Sequence, residues 1–390
     1  MEMQTNQITF GPSHHIFGYI GRVQNIPWNE SGEYILALRF DSQDRMPRPD
    51  EYADVILLDA KDSYSIQQVD RSLGWNIQQG TMFYWNPYSP ETQFFFNDRD
   101  PETNKVFTVL FDIVKQKRIR EFRFDNTPFG NSGVAQNGGE FLGINYARLA
   151  RLRAVTGYPG AFDWTVDVLH PEDDGVFKVD ISTGQSNLIV SFRQLRDALV
   201  EEHPHVDDAA LFINHTLWNR EGDLIYFYAR GNFSGSAGTR ANIPFTVRPD
   251  GSELTVQEYV GGHPEWDLGH RLIGTDESKL ILYDTELRKV VEEIGDPSIF
   301  PKPGGDNALS PDGNWLVSGY GQRGSNAYVC YRRSDGFWAR SGMFDQQGYT
   351  SGDLRSDPAP CWNREGSQVL FPSLSDDGTR QLFVMDVPIG

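Results

Sequence analysis

Two cysteines in 390 residues, Cys330 and Cys361, are too few for a disulfide framework, and each lies in apolar, strand-like text. They read as small buried hydrophobes and fit a reducing compartment. Basic residues are scarce as well: 35 Lys and Arg stand against 54 Asp and Glu, a formal net charge of −19. Such a chain lacks the basic face through which counterion release drives binding to nucleic acid or to an anionic membrane. Any anionic ligand therefore needs a local group of arginines. No run of about 18 apolar residues occurs, which excludes a spanning helix. The start, MEMQTNQITF, has neither the basic nor the apolar region of a secretion signal. The expected compartment is cytoplasmic, or periplasmic or secreted if a signal has been removed. A Gly-rich phosphate loop, a Cys-x-x-Cys pair and a serine nucleophile elbow are all missing.

What is present is repetition. LFINHTLWNREGDLIYFYAR, from Leu211, joins two strand-like runs through an acidic residue beside Gly. The same pattern recurs in PWNESGEYILAL from Pro27, LSPDGNWLVSGY from Leu309 and CWNREGSQVLFPS from Cys361. A second marker, a strand ending at or near Asp, occurs seven times: at Asp59, Asp112, Asp180, Asp250, Asp284, Asp335 and Asp386. With 13% aromatic residues and 38 Gly, these units predict an all-β, seven-bladed β-propeller forming a single domain over residues 1–390. Because the last repeat stops after LFVMDVPIG, the N-terminal QITF is expected to supply its outer strand. Two short helical insertions are predicted on one face. One lies in NYARLARLRAV; the other follows Ser191 as N-cap and stops at Pro204.

In a propeller the first strand of each blade lines the central channel, so polar residues where those strands start converge on one funnel. Candidates are His15, Gln78, Gln79, Asn145, Arg148, Arg151, Asn214, His215, Arg240, His263, Trp266, Asp306, Arg355 and Asp357. Each has a plainer reading: His215 as a strand cap, His263 and Trp266 as a turn with aromatic filler, the two glutamines as packing. Their recurrence at equivalent repeat positions favours a polar site.

The ordered series NIQQGTMFYW, FNDRD, GINYARLARLRAVTGY, INHTLWNREGDLIYFYAR, GGHPEWD, GDNALSPDGNWLVSGY and RSDPAPCWNREGSQVLF resembles the oligogalacturonate-lyase-like group of seven-bladed propellers, with TolB/WD40-like repeats. The resemblance runs from about Asn76 onward. It implies an enzyme in which a metal held by His and Gln side chains neutralises a uronate carboxylate while a base removes the C5 proton. His263 matches a ligand position of that group. Asp357-Pro358-Ala359 stands where the group has His-Pro-His, and Asn307-Ala308 where many relatives have Gly-His.

Removing a proton α to a carboxylate requires neutralising that carboxylate and a base near neutral pKa. The expected function is a lyase cleaving a uronic-acid-containing oligosaccharide by β-elimination. The catalytic candidates are His215, His263, Arg148 and Arg355; the other residues named above are expected to bind substrate. Two forms of the site stay open: a divalent ion (manganese or calcium) on His263 and Asp357, or a metal-free site in which Asp357 pairs with Arg355, which is favoured. From other classes, a non-catalytic glycan- or protein-binding propeller, or a glycoside hydrolase or dehydratase, would use the same funnel.

Overall fold

The turn that recurs in the sequence is a hydrogen-bonded corner. In the computed structural model, which describes residues 2–18, 25–233, 238–303 and 305–388, the Asn219 side-chain oxygen accepts from the backbone N–H of Asp223 and Leu224, both at 2.9 Å. Asn363 does the same for Ser367 and Gln368, and Asn29 for Tyr34. The glycine at each corner, Gly32, Gly222 and Gly366, has a positive φ that only glycine adopts without strain. The Asp marker is a second local device. At Asp59, Asp112, Asp180, Asp250, Asp284 and Asp335 one carboxylate oxygen accepts N–H groups two or three residues on, which turns the chain from the third strand of a unit towards its fourth.

These corners link antiparallel strands into five four-stranded sheets and one nine-stranded sheet. The first holds His14–Ile16, Tyr34–Phe40, Ala53–Asp59 and Ser65–Ser72. Three more follow in chain order through Thr255–Val256. The nine-stranded sheet consists of two antiparallel four-stranded runs, from Gly261–Trp266 to Lys289–Glu293 and from Asp306–Leu309 to Trp338–Arg340, with Phe344–Asp345 at its edge. A single parallel pairing, His263 with Asp306, joins the two runs. The structure is thus an all-β propeller, but the expectation of seven separate blades is corrected to five plus a fused double sheet. The reason is that the innermost strands of neighbouring units run side by side in the same direction, and here two of them come close enough to pair.

The chain closes as expected, with a shift of register. Thr5–Gln7, rather than Gln7–Phe10, pairs with Arg380–Asp386, and Ile8 N–H adds one more bond to the carbonyl of Leu382. Burial falls outward along the fourth sheet: its inner strand, Phe212–Trp218, is buried at every residue, whereas its outer strand, Thr255–Val256, is half-buried. Tryptophans near the ends of inner strands latch neighbouring units together. The indole N–H of Trp85 donates to the Pro27 carbonyl, Trp218 to Gly133, Trp266 to Leu217 and Trp362 to Ala308. Trp266 is completely buried, which corrects its expected role in substrate binding: its ring fills an inter-sheet gap and its one donor is used there.

Two helices interrupt the strands. Helix α1, Tyr146–Leu152, is capped by Asn145, whose oxygen accepts from Ala147 and Arg148 N–H. Helix α2, Phe192–Leu199, starts at a capping box of Ser191 with Gln194. Pro204 does not stop α2, which has already ended at Leu199. It opens a short 3-10 turn, Pro204–Asp208, where its missing N–H costs nothing.

Candidate functional site

Most of the candidate polar residues gather at one edge of the channel. Where Phe212–Trp218 should pair evenly with Ile225–Gly231, the register slips between Asn214 and Leu217, and His215 takes a φ of 60°. A bulge of this kind re-aims a side chain, and a left-handed histidine is costly enough to need support from its surroundings. The support is local: Asn214 Oδ1 accepts the His215 N–H at 3.0 Å and the Gln79 side-chain amide at 3.4 Å. So placed, the His215 ring lies 5.5 Å from that of His263 and 6.0 Å, edge-on, from that of Tyr228.

His263 is held by the residue that fuses the two runs of strands. Its Nδ1 contacts Asp306 Oδ1, and Asp306 Oδ2 accepts the Ala359 N–H at 2.8 Å. Burial alone would lower the pKa of His263, but the adjacent Asp306 carboxylate overcomes this and raises it. Arg355 reaches the same place. Its Nε donates to Asp357 at 2.7 Å, and its Nη1 and Nη2 lie 2.9 and 3.0 Å from the Gln78 amide oxygen once that amide is oriented to accept. Burial, and then the neighbouring Asp306 charge, hold the Asp357 carboxyl above the usual carboxylate range, with Arg355 and His263 opposing. His263, Asp306, Arg355 and Asp357 line a cavity of about 460 Å³ with Arg323 and Gly324 at the tip of a hairpin. Sharing Asp357 with it, a void of about 10 Å³ is bordered by Gln78 and Arg380.

Gln78, Gln79, Asn214, His215, His263, Asp306, Arg355 and Asp357 are therefore gathered as the sequence suggested. Arg148 is not among them. It is fully buried, and its guanidinium donates to the carbonyls of Leu211, Thr165, Val168 and Leu169 and to the Thr165 hydroxyl. Burial lowers its pKa to about 10. The catalytic expectation is corrected, because an arginine enclosed by backbone acceptors touches no ligand. Asn145 is corrected likewise: besides capping α1, its amide donates to Asp163 and Asp174. Arg151 pairs with Asp163 at 2.9 Å and borders a different cavity, with Asn104 and Phe162. His15 is buried and bonds Gln381 at 2.8 Å, tying the first sheet to the closing one.

Arg153, Arg230, Phe233, Arg323 and Arg380 were missed. Arg230 carried a signal, as the one charge ending the apolar run LIYFYA. Arg380 is buried at the start of a strand, where its Nη1 donates to the Ile77 carbonyl at 2.8 Å. Nothing local distinguishes Arg153 or Arg323.

The donors do not fit a metal. Among the described residues no three His, Cys, Asp or Glu side chains are grouped as ligands. Asp306 uses both oxygens, on His263 and on Ala359 N–H, and Asp357 gives Oδ1 to Arg355, so one carboxylate oxygen, Asp357 Oδ2, is left beside the histidines, short of a three-ligand set. Ala308 and Ala359 bring no donor side chain.

No family model matches the chain, and no curated protein does. Solved structures do. An oligogalacturonate lyase in complex with manganese superposes with a TM-score of 0.66 at 14% identity, covering 99% of this chain and 94% of the other. The β-propeller domain of the trilobed protease from Pyrococcus furiosus, described as having an open velcro topology, gives 0.51 at 12% identity over 95% and 96%. The β-propeller domain of Cps50 (Swd1) from Myceliophteria thermophila gives 0.50 at 12% over 96% and 100%. At these identities the likeness establishes the propeller fold.

Proposed function

We propose that the channel mouth is the active site of a lyase that cleaves a uronic-acid-containing oligosaccharide by β-elimination without a metal. The observation that carries this reading is the pair of histidine rings 5.5 Å apart, one of them bonded to a buried Asp, beside an arginine. His215, on its bulge, takes the C5 proton. The electron pair left on C5 forms the C4–C5 double bond as the C4–O bond breaks. His263, kept protonated to higher pH by Asp306, gives its proton to the leaving oxygen. Arg355 with Gln79 and Asn214 faces the substrate carboxylate, whose charge must be offset for C5 to lose a proton. The likeness to the manganese-bound lyase supports the substrate class; the donor set argues for replacing the metal by arginine. We also read each half of the fused double sheet as a blade, which restores a count of seven.

Incubation with a panel of uronate oligosaccharides, followed by the ultraviolet absorbance of the conjugated double bond, tests the reaction. The expected result is product formation that a strong chelator does not change. Chelator-sensitive activity would overturn the metal-free site. A second reading, a glycan-binding propeller, is favoured by Tyr259, 59% exposed and 6.3 Å from Tyr228, as a stacking surface. Binding of the same oligosaccharides with no absorbance change would select it.

A further inference from the structure

We infer that Arg153, Arg230 and Arg240, gathered on the ring of Phe233, form an oxyanion subsite beside the histidine cavity. It takes the acid group, carboxylate or sulfate ester, of a sugar neighbouring the one that reacts. The inference rests on reading the mouth as a site for an anionic oligosaccharide, and it adds a second point of recognition to that reading. The guanidinium carbons of Arg240, Arg230 and Arg153 lie 3.5, 5.2 and 5.3 Å from the centre of the Phe233 ring. A ring face attracts one cation well, but three like charges around it repel one another. In a chain carrying 54 acids, such a cluster would be expected to recruit a carboxylate. None of the three forms an ion pair among the described residues, whereas Arg355 and Arg151 each have one. Their hydrogen-bonding capacity is also largely unused. Among the described residues, Arg230 donates through Nε to Asn242 at 2.8 Å, the Nε of Arg153 is buried without a partner, and the exposed Arg240 makes no hydrogen bond.

The cluster belongs to the same mouth. Arg230 follows Tyr228, the ring that meets His215 edge-on, by two residues, and its guanidinium lies 4.6 Å from that ring's centre. Burial first, and then the nearby Arg355 and Arg240 charges, lower the pKa of Arg153, while the Asp353 and Asp357 carboxylates, which form no ion pair with it among the described residues, oppose them. Three planar forks with open N–H donors suit an oxyanion, which would relieve the repulsion that assembles with them.

Sodium sulfate serves as the probe. Thermal unfolding is followed in sulfate and in sodium chloride of equal ionic strength, for the native chain, Arg240→Ala and a control, Arg193→Ala. Arg240 is exposed and, among the described residues, makes no ion pair or hydrogen bond, so its variant is expected to fold. The expected result is a sulfate-specific rise in Tm for the native chain and the control that is lost in Arg240→Ala. Calorimetric titration then compares a uronate disaccharide with a sulfated disaccharide free of uronate. The acid group the subsite takes is the one whose affinity falls about 10-fold or more in Arg240→Ala, the loss of one charge-assisted hydrogen bond. Equal sulfate response and equal sugar affinity in the native chain and Arg240→Ala would overturn the subsite. These readouts need no turnover, so a sulfate response without any unsaturated product would sink the lyase reading and leave the subsite standing.

Discussion

Arg148 and Arg355 look alike in the sequence, each following a break in the strand rhythm and each expected at the funnel, yet the fold uses them in opposite ways. Arg148 donates to four carbonyls and a hydroxyl and is sealed from solvent; Arg355 is held by one carboxylate, one amide and the Gly352 carbonyl and still borders a 460 Å³ cavity. The difference teaches that an arginine's task is read from its acceptors. Backbone carbonyls around a guanidinium mean that it ties an insertion to the body, as Arg148 ties the segment 165–169 to the residue that precedes Phe212–Trp218. A mostly side-chain clamp at the edge of a cavity leaves the guanidinium where a ligand could reach it, as proposed for Arg355.

The comparison breaks most sharply at Arg148 itself. Arg148→Ala strands several buried carbonyls, each worth about 1–3 kcal/mol when unsatisfied, and is expected to yield chain that does not fold to a cooperative unit. Arg355→Ala should keep its thermal transition within about 3 °C and lose turnover. A well-folded Arg148→Ala, by circular dichroism and melting, would return that residue to the candidate site.

Next in size is His215→Asn, which keeps a residue tolerant of the left-handed backbone. Turnover should fall by about 10²–10⁴-fold, the usual worth of a general base, with the melting temperature little moved. Retained activity would remove His215 from the reaction.

A smaller effect is expected at the residue that holds His263. Asp306 raises the pKa of His263, and the proposed acid must be protonated, so Asp306→Asn should move the falling, high-pH limb of the kcat profile to lower pH. A limb that stays put would show that His263 is not the acid.

Away from the mouth, burial pushes the Glu265 carboxyl up to about 8 despite Arg220 nearby. A carboxyl whose folded-state value is raised takes up a proton on folding, so its effect on stability is least harmful at low pH and grows as pH rises from the ordinary 4.5 towards about 8. Melting temperatures of the native chain should decline across that window, and Glu265→Gln should flatten the decline; identical curves would refute the assignment.

Least effect on the reaction is expected from Trp266→His, which trims an indole that bonds Leu217. As a purely structural latch it should cost roughly 2–4 kcal/mol and leave the Michaelis constant unchanged at a temperature where the variant is folded. A changed Michaelis constant would restore Trp266 to the site.

Local chemistry determined much of this molecule from its sequence alone. Asn219, Asn363 and Asn29 beside their glycines, and the aspartates ending third strands, make bonds that span two to five residues, so the corners and the repeat were legible without any fold in view. So was the capping box of Ser191. Convergence was partly legible, because repetition puts equivalent positions at equivalent heights on the channel: Gln79 meets Asn214, and Gln78 meets Arg355, across long gaps in the chain. What only the tertiary structure decided was which polar groups the body absorbs. Arg148, Asn145, His15 and Trp266 spend their hydrogen bonds on partners that packing supplies. Arg153, Arg230 and Arg240 become a cluster only because Phe233 lies among them. The pairing of His263 with Asp306, which fuses two sheets and orients a histidine at once, depends on how closely two inner strands approach, and that distance is set by the closing of the whole ring.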